Sequence, residues 1–153
     1  MQSQLAFIRY ARNGIVNIMD EMSLGQINHV PEGFNNNLVW QLGHLIVALQ
    51  NYCYINAGLP SMLEESFIER YKNGTKPEGS IDEAEFITMK NLATSTLDQL
   101  EKDLQSDTFA NFEPKTLGNG IQINSIADAL EMMVFHEALH YGEVKILKRL
   151  VQA

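Results

Sequence analysis

Two histidines four residues apart, His136 and His140, stand in the stretch Val134-Phe135-His136-Glu137-Ala138-Leu139-His140-Tyr141-Gly142-Glu143. An α-helix turns about 100° per residue, so the two imidazoles lie about 40° apart on one face and can point at one spot. That spot suits a divalent transition metal, with zinc or nickel as the first expectation and iron, copper or manganese also open. Two ligands alone bind weakly, so a third is required from elsewhere in the chain. Without one, the pair reads as two core histidines satisfied by hydrogen bonds.

The segment Trp40-Gln41-Leu42-Gly43-His44-Leu45 offers His44. A glycine inside a helix costs about 1 kcal/mol relative to alanine, so Gly43 calls for a compensating close contact. Gly142, two residues after His140, makes the same suggestion. Both glycines are expected where the two histidine-bearing helices approach each other. Trp40, one turn before His44, either walls the site or is a large core residue.

Two acids flank the pair and are the candidates for moving a proton at the site. Glu143 lies seven residues beyond His136, about 20° short of two full turns, and so shares its face. Glu137 is closer along the helix but is rotated about 100° from His136, toward a flank. Glu143 is therefore expected to be the site-facing acid, with Glu137 the rival; the alternative is that Glu137 is solvated or salt-bridged and Glu143 orients a histidine N–H. His136-Glu137-x-x-His140 also satisfies the His-Glu-x-x-His pattern of zinc proteases, in which the glutamate is the general base. No histidine follows His140, and Glu143 is the sole acid among the 13 residues after it, so a protease would need Glu143 in place of His44. Cys53, about 180° around the helix from His44, should face away as a packed thiol, whereas Asn51, about 20° away, could form a polar contact beneath the site. His29 reads as a solvated loop residue, and Arg9 and Arg12 as solvated or paired.

These residues need long helices to position them. Leu5, Ile8, Ile15, Ile18, Met19 and Met22 form a helical stripe over about 3–25. A second helix is expected from Asn36 or Asn37, as cap, to about Asn56, stopped by Gly58 and Pro60. Ser61 to Tyr71 could form a short helix inside a long crossover between the second and third helices. The third helix, about 82–104, turns Phe86, Met89, Leu92, Ala93, Thr96, Leu97 and Leu100 inward. Turns follow at Pro114 and Gly118-Asn119-Gly120, with a small hairpin between Thr116-Leu117 and Ile121-Gln122-Ile123. The fourth helix opens at Ser125, paired with Asp128 in a capping-box pattern, and runs to about Val151. Four long amphipathic segments predict an all-α fold, a four-helix bundle in one domain.

At 153 residues the chain can bury a sizeable core. A net charge of −8 without a Lys/Arg-rich run argues against nucleic acid as a partner. The longest apolar run, Leu45 to Leu49, is far too short to span a bilayer, so no membrane partner is expected. Arg9 and Arg12 interrupt the N-terminal apolar stretch too early for a signal peptide. Cys53 is the lone cysteine, which is compatible with a reducing compartment, and a cytoplasmic location is expected.

The Trp40-Gln41-Leu42-Gly43-His44-Leu45 segment, followed some 90 residues later by His136-x-x-x-His140-x-Gly142, resembles the DinB/YfiT-like metal-dependent superfamily. Chain length, four long helices and the long second connection extend the resemblance over nearly the whole chain. It implies an up-down-down-up bundle, often a homodimer, in which His44, His136 and His140 bind one divalent metal. Its characterised members include transferases and isomerases that use a low-molecular-weight thiol. The family commonly has Gln where this chain has Glu143. The resulting expectation is an enzyme that activates water or a thiol, for hydrolysis or S-transfer on a small molecule. The alternatives are a non-catalytic dimeric binding module and, more remotely, a zinc protease.

Overall fold

Side-chain caps set four of the six α-helix starts in the computed structural model, which describes residues 1–118 and 120–152. Helix α1 spans Gln2–Asp20 and buries Leu5, Ile8, Arg12, Ile15 and Met19. The apolar stripe runs on to Met22, yet the helix stops earlier. Ser23 begins a separate short helix, α2 (Leu24–Asn28), through a reciprocal capping box with Gln26 that diverts the chain. Asn37 caps α3 (Leu38–Cys53) by accepting the Trp40 N–H at 2.8 Å. That helix ends three residues before Asn56, because the chain tightens into a 3-10 turn at Ile55–Ala57 and reverses at Gly58 with φ +72°.

The short crossover helix, α4, covers Glu65–Tyr71, and α5 covers Glu83–Asp103 behind an Asp82/Glu85 capping box. Strands β1 (Lys115–Thr116) and β2 (Gln122–Ile123) pair antiparallel, Lys115 opposite Ile123 and Thr116 opposite Gln122. The turn expected at Gly118-Asn119-Gly120 lies between them; Asn119 falls outside the described residues, and Gly120 has φ +87°. Helix α6 (Ile126–Gln152) starts as expected, with Ser125 Oγ accepting the Asp128 N–H at 3.2 Å. The Asp128 carboxylate in turn accepts from the Asn124 N–H at 2.8 Å.

Helix α3 is the centre of the molecule. All its residues except Asn51 and Tyr52 are buried, as expected of a segment that is apolar nearly all round. It packs most extensively on α6 and also against α5 and α4, while α1 lies along α6. Arg12 meets Glu137 and Glu21 meets Lys148, so α1 and α6 run parallel. Gln41 meets His140 and His44 meets His136, so α3 and α6 run antiparallel. Arg9 meets Asp98 and Asp20 meets Lys90, which sets α1 antiparallel to α5. Apolar side chains fill both ends of this arrangement. One cluster gathers Ile15, Met19, Leu42, Leu45, Ile46, Val144 and Leu147, and the other Ile8, Leu49, Cys53, Leu97, Leu100, Leu130 and Met133. No helix among the described residues is long and apolar enough to cross a membrane.

Candidate metal centre

Between the two apolar clusters, α3 and α6 bring together His44, His136 and His140, whose ligand nitrogens all lie within 4.8 Å of one another. The Nε2 atoms of His44 and His140 each stand 3.3 Å from Nε2 of His136. The far sides of two rings are anchored. His44 Nδ1 donates to the Tyr71 carbonyl at 3.0 Å, and His140 Nδ1 donates to Gln41 Oε1. Both acceptors are oxygens, so both Nδ1 atoms carry the ring hydrogen and both Nε2 atoms present lone pairs. Trp40 stacks on the His44 ring, centroids 4.6 Å apart, and fixes its plane from the other face. The Trp40 Nε1–H is spent on Thr75 Oγ1 at 3.0 Å, so the tryptophan is both a core residue and a wall of the site.

Burial keeps these rings neutral. It lowers His136 to about 3, aided by His140, His44 and Arg12, and lowers His140 to about 4, aided by His44 and Arg12. His44 is also lowered by burial, against the opposing influence of the Tyr71 carbonyl and Glu143. Protons therefore do not compete for these nitrogens at neutral pH. His136 has one hydrogen at most to place between two facing lone pairs, and its buried Nδ1 has no partner. A cation at the meeting point satisfies all three lone pairs at once, and the residues present fit a metal ion.

Family comparison agrees with this geometry: the DinB superfamily matches residues 8–144. The chain belongs to the DinB superfamily. No curated protein matches it.

The other residues of this DinB chain lie partly where the spacing suggested and partly elsewhere. Glu137 faces α1, on the helix flank that its phase indicated. It is fully buried, and its two oxygens accept from Arg12 Nε at 3.0 and 3.2 Å and from Arg12 Nη2. Burial raises the Glu137 carboxyl, and the Arg12 guanidinium pulls against that rise. Glu143 is half exposed, with Oε2 3.4 Å from His140 Nδ1, the nitrogen that Gln41 also holds. Gly43 does mark a close approach, but the neighbour is α4: a Cβ there would lie 2.5 Å from the Tyr71 ring. Gly142 marks none, since a Cβ there would meet nothing within 4 Å; the tight spot on α6 is Tyr141 against Gly14 of α1. Cys53 is packed in the second apolar cluster with its thiol pushed up to about 12 by burial, away from the triad as expected. His29 is an exposed loop residue outside the cluster.

Gln41 and Tyr71 are the positioning groups that the sequence did not reveal. Gln41 had a signal, since it sits three residues before His44 and thus about 60° from it on the same helix. The Tyr71 carbonyl had none, because a backbone group contributed from 27 residues away leaves no trace in residue type. Beside the triad, a cavity of about 480 Å³ reaches His44 and His136 and is also lined by Asn51, Tyr52 and Lys115. Asn51 is half-buried there, within the site region that its helix phase indicated.

Proposed function

We propose that this chain is a metal-dependent enzyme acting on a small molecule, with one mononuclear centre held by His44, His136 and His140. The observation that carries the reading is the pair of Nδ1 anchors, which commits two Nε2 lone pairs to a third imidazole nitrogen 3.3 Å away. Zinc or nickel is the expected occupant of an all-imidazole site, ahead of iron, copper or manganese. Such an ion supplies Lewis acidity, which lowers the pKa of a water or thiol that joins it, for hydrolysis or S-transfer. Three protein ligands beside an open cavity resemble a catalytic zinc site more than a closed structural one.

The chain's own residues have assignable roles. Tyr71 and Gln41 hold the His44 and His140 rings in one tautomer, the usual task of groups behind metal-ligating histidines. Glu143 Oε2, 3.4 Å from His140 Nδ1, backs that imidazole beside Gln41, on the side of the ring away from the Nε2 meeting point, and is assigned to orienting it. Glu137, given over to Arg12, is not available as a protease general base, which disfavours the His-Glu-x-x-His reading.

The helix directions support a single four-helix bundle domain of up-down-down-up order made of α1, α3, α5 and α6. An exposed apolar stripe on α6, containing Phe135, Leu139, Ile146 and Leu150, supports a homodimer. Light scattering that finds a monomer at micromolar concentration overturns the dimer.

Metal analysis of the purified protein tests the centre. The substitution His44→Ala is expected to lower metal affinity by about 100-fold or more, since ligand loss exceeds the 10- to 100-fold effect of losing a supporting group. Circular dichroism should remain helical. Undiminished metal binding in that variant sinks the assignment. Activity screens with thiol and ester substrates at defined metal loading then separate transfer from hydrolysis.

A further inference from the structure

The cavity beside the triad has an unusual charge for this chain. The protein carries 19 acids against 11 bases, yet among the described residues the cavity wall contains no acid and one cation, Lys115. Lys115 makes no ion pair among the described residues. Three asparagines, Asn51, Asn56 and Asn73, share the wall with the Tyr52 ring. Among the described residues none of these amides has a side-chain hydrogen-bond partner, and Asn51 and Asn56 are half-buried. An amide offers both donors and acceptors, and leaving it unpaired on ligand binding is costly, so a fitting ligand brings polar groups of its own.

The backbone that presents Lys115 is fixed. Lys115 lies opposite Ile123 in the β1–β2 pair, and Ile123 is buried among Leu49, Phe109 and Met133 in the second apolar cluster. The hairpin is thereby tied to the core at the register position that sets where Lys115 begins.

We propose that this cavity takes a small carboxylate-bearing molecule that also carries amide or hydroxyl groups, and that Lys115 is the residue that selects for its negative charge. The role in catalysis rests on the metal-enzyme reading, but the charge selection does not. An ammonium to carboxylate hydrogen bond is charge-assisted and about twice as strong as a neutral one, and its ionic part discriminates against a neutral isostere. One monovalent cation with no arginine beside it suits a carboxylate better than a phosphate dianion, which is typically held by several donors. The asparagines then bond the uncharged polar groups, and the end of the cavity at His44 and His136 receives the reacting group.

The test compares N-acetylglycine with its neutral counterpart N-acetylglycinamide, each titrated into metal-loaded and metal-free protein and followed by backbone amide NMR shifts. N-acetylglycine is expected to perturb Asn51, Asn56, Lys115 and Leu117 and to bind about ten-fold more tightly than the amide. The substitution Lys115→Met, at an exposed position, should remove that preference while leaving metal content and the fold unchanged. Equal affinity for the two probes, shifts confined to other surfaces, or a preference that survives Lys115→Met overturns the proposal. Tighter binding of inorganic phosphate than of N-acetylglycine overturns the carboxylate class. A protein that takes up no metal refutes the reading of the triad, and the metal-free titration still decides the charge selection.

Discussion

His136 and Glu137 are neighbours on one helix, yet they enter two buried polar clusters of opposite character. Glu137 turns to α1 and meets Arg12, a negative group against a positive one, with Arg12 Nη2 also donating to the Leu45 carbonyl at 3.0 Å. His136 turns to α3 and meets His44 and His140, like groups whose lone pairs face one another. The first cluster pairs opposite charges within the chain, with Arg12 Nη1 alone left unpartnered, and it ties α6 to α1 and α3. The second is unsatisfied by the chain itself, with His136 Nδ1 unpartnered and three nitrogens crowded together. Each cluster leaves one buried nitrogen unpartnered, but only the second sets three ligand nitrogens against one another, and that convergence is what points to a ligand.

The largest effect should come from breaking the charge-paired cluster. Arg12 and Glu137 are 1% and 0% exposed, so the substitution Arg12→Met strands a carboxylate in the core. That should cost about 3–5 kcal/mol, a large part of a domain's stability. Replacing both, Arg12→Met with Glu137→Met, removes the stranded charge and should recover most of the loss. Urea denaturation of the three proteins measures this, and a double variant as unstable as Arg12→Met alone would show that the pair is not what matters. The metal affinity of the double variant should stay near that of the parent, because neither side chain touches the three histidine nitrogens that meet at the centre.

The two clusters were not equally legible in the sequence. The histidines announced themselves, because residue type, four-residue spacing and a Gly-His segment on another helix are local patterns with a chemical meaning. Arg12 also left a sign: with Ile8, Ile15 and Met19 it continues an inward stripe at helical spacing, although a lone arginine in such a stripe is ordinarily solvated or paired at the surface. Its partner lies 125 residues away, and nothing in Glu137 itself says which neighbour its flank will meet. Helix starts were readable at Asn36 or Asn37 and at Ser125 because capping is local chemistry, and near 82 from the apolar pattern that follows it. The end of α1 was not, because the stripe to Met22 competes with the Ser23–Gln26 box and the box wins. Gly43 and Gly142 looked alike for a related reason: a glycine in a helix records that a side chain is missing, not what occupies its space.

That pair of glycines gives the smaller effects and the last way to sharpen the comparison. A Cβ at position 43 would come 2.5 Å from the buried Tyr71 ring, and Tyr71 holds His44 through its carbonyl. The substitution Gly43→Ala should therefore cost about 1–3 kcal/mol from overpacking and should weaken metal binding by moving that carbonyl. At position 142 the methyl meets nothing within 4 Å, so Gly142→Ala should stabilise the helix by about 0.5–1 kcal/mol and leave the metal affinity as it was. Denaturation midpoints and metal titrations of the two variants, side by side, read both signs. A stability loss at Gly142→Ala would mean that its space is filled in solution, and the exposed stripe of Leu139 and Ile146 on either side of it makes a second copy of the chain the occupant. A gain at Gly43→Ala would separate Tyr71 from the support of the triad, leaving Gln41 and His140 as its one anchored arm.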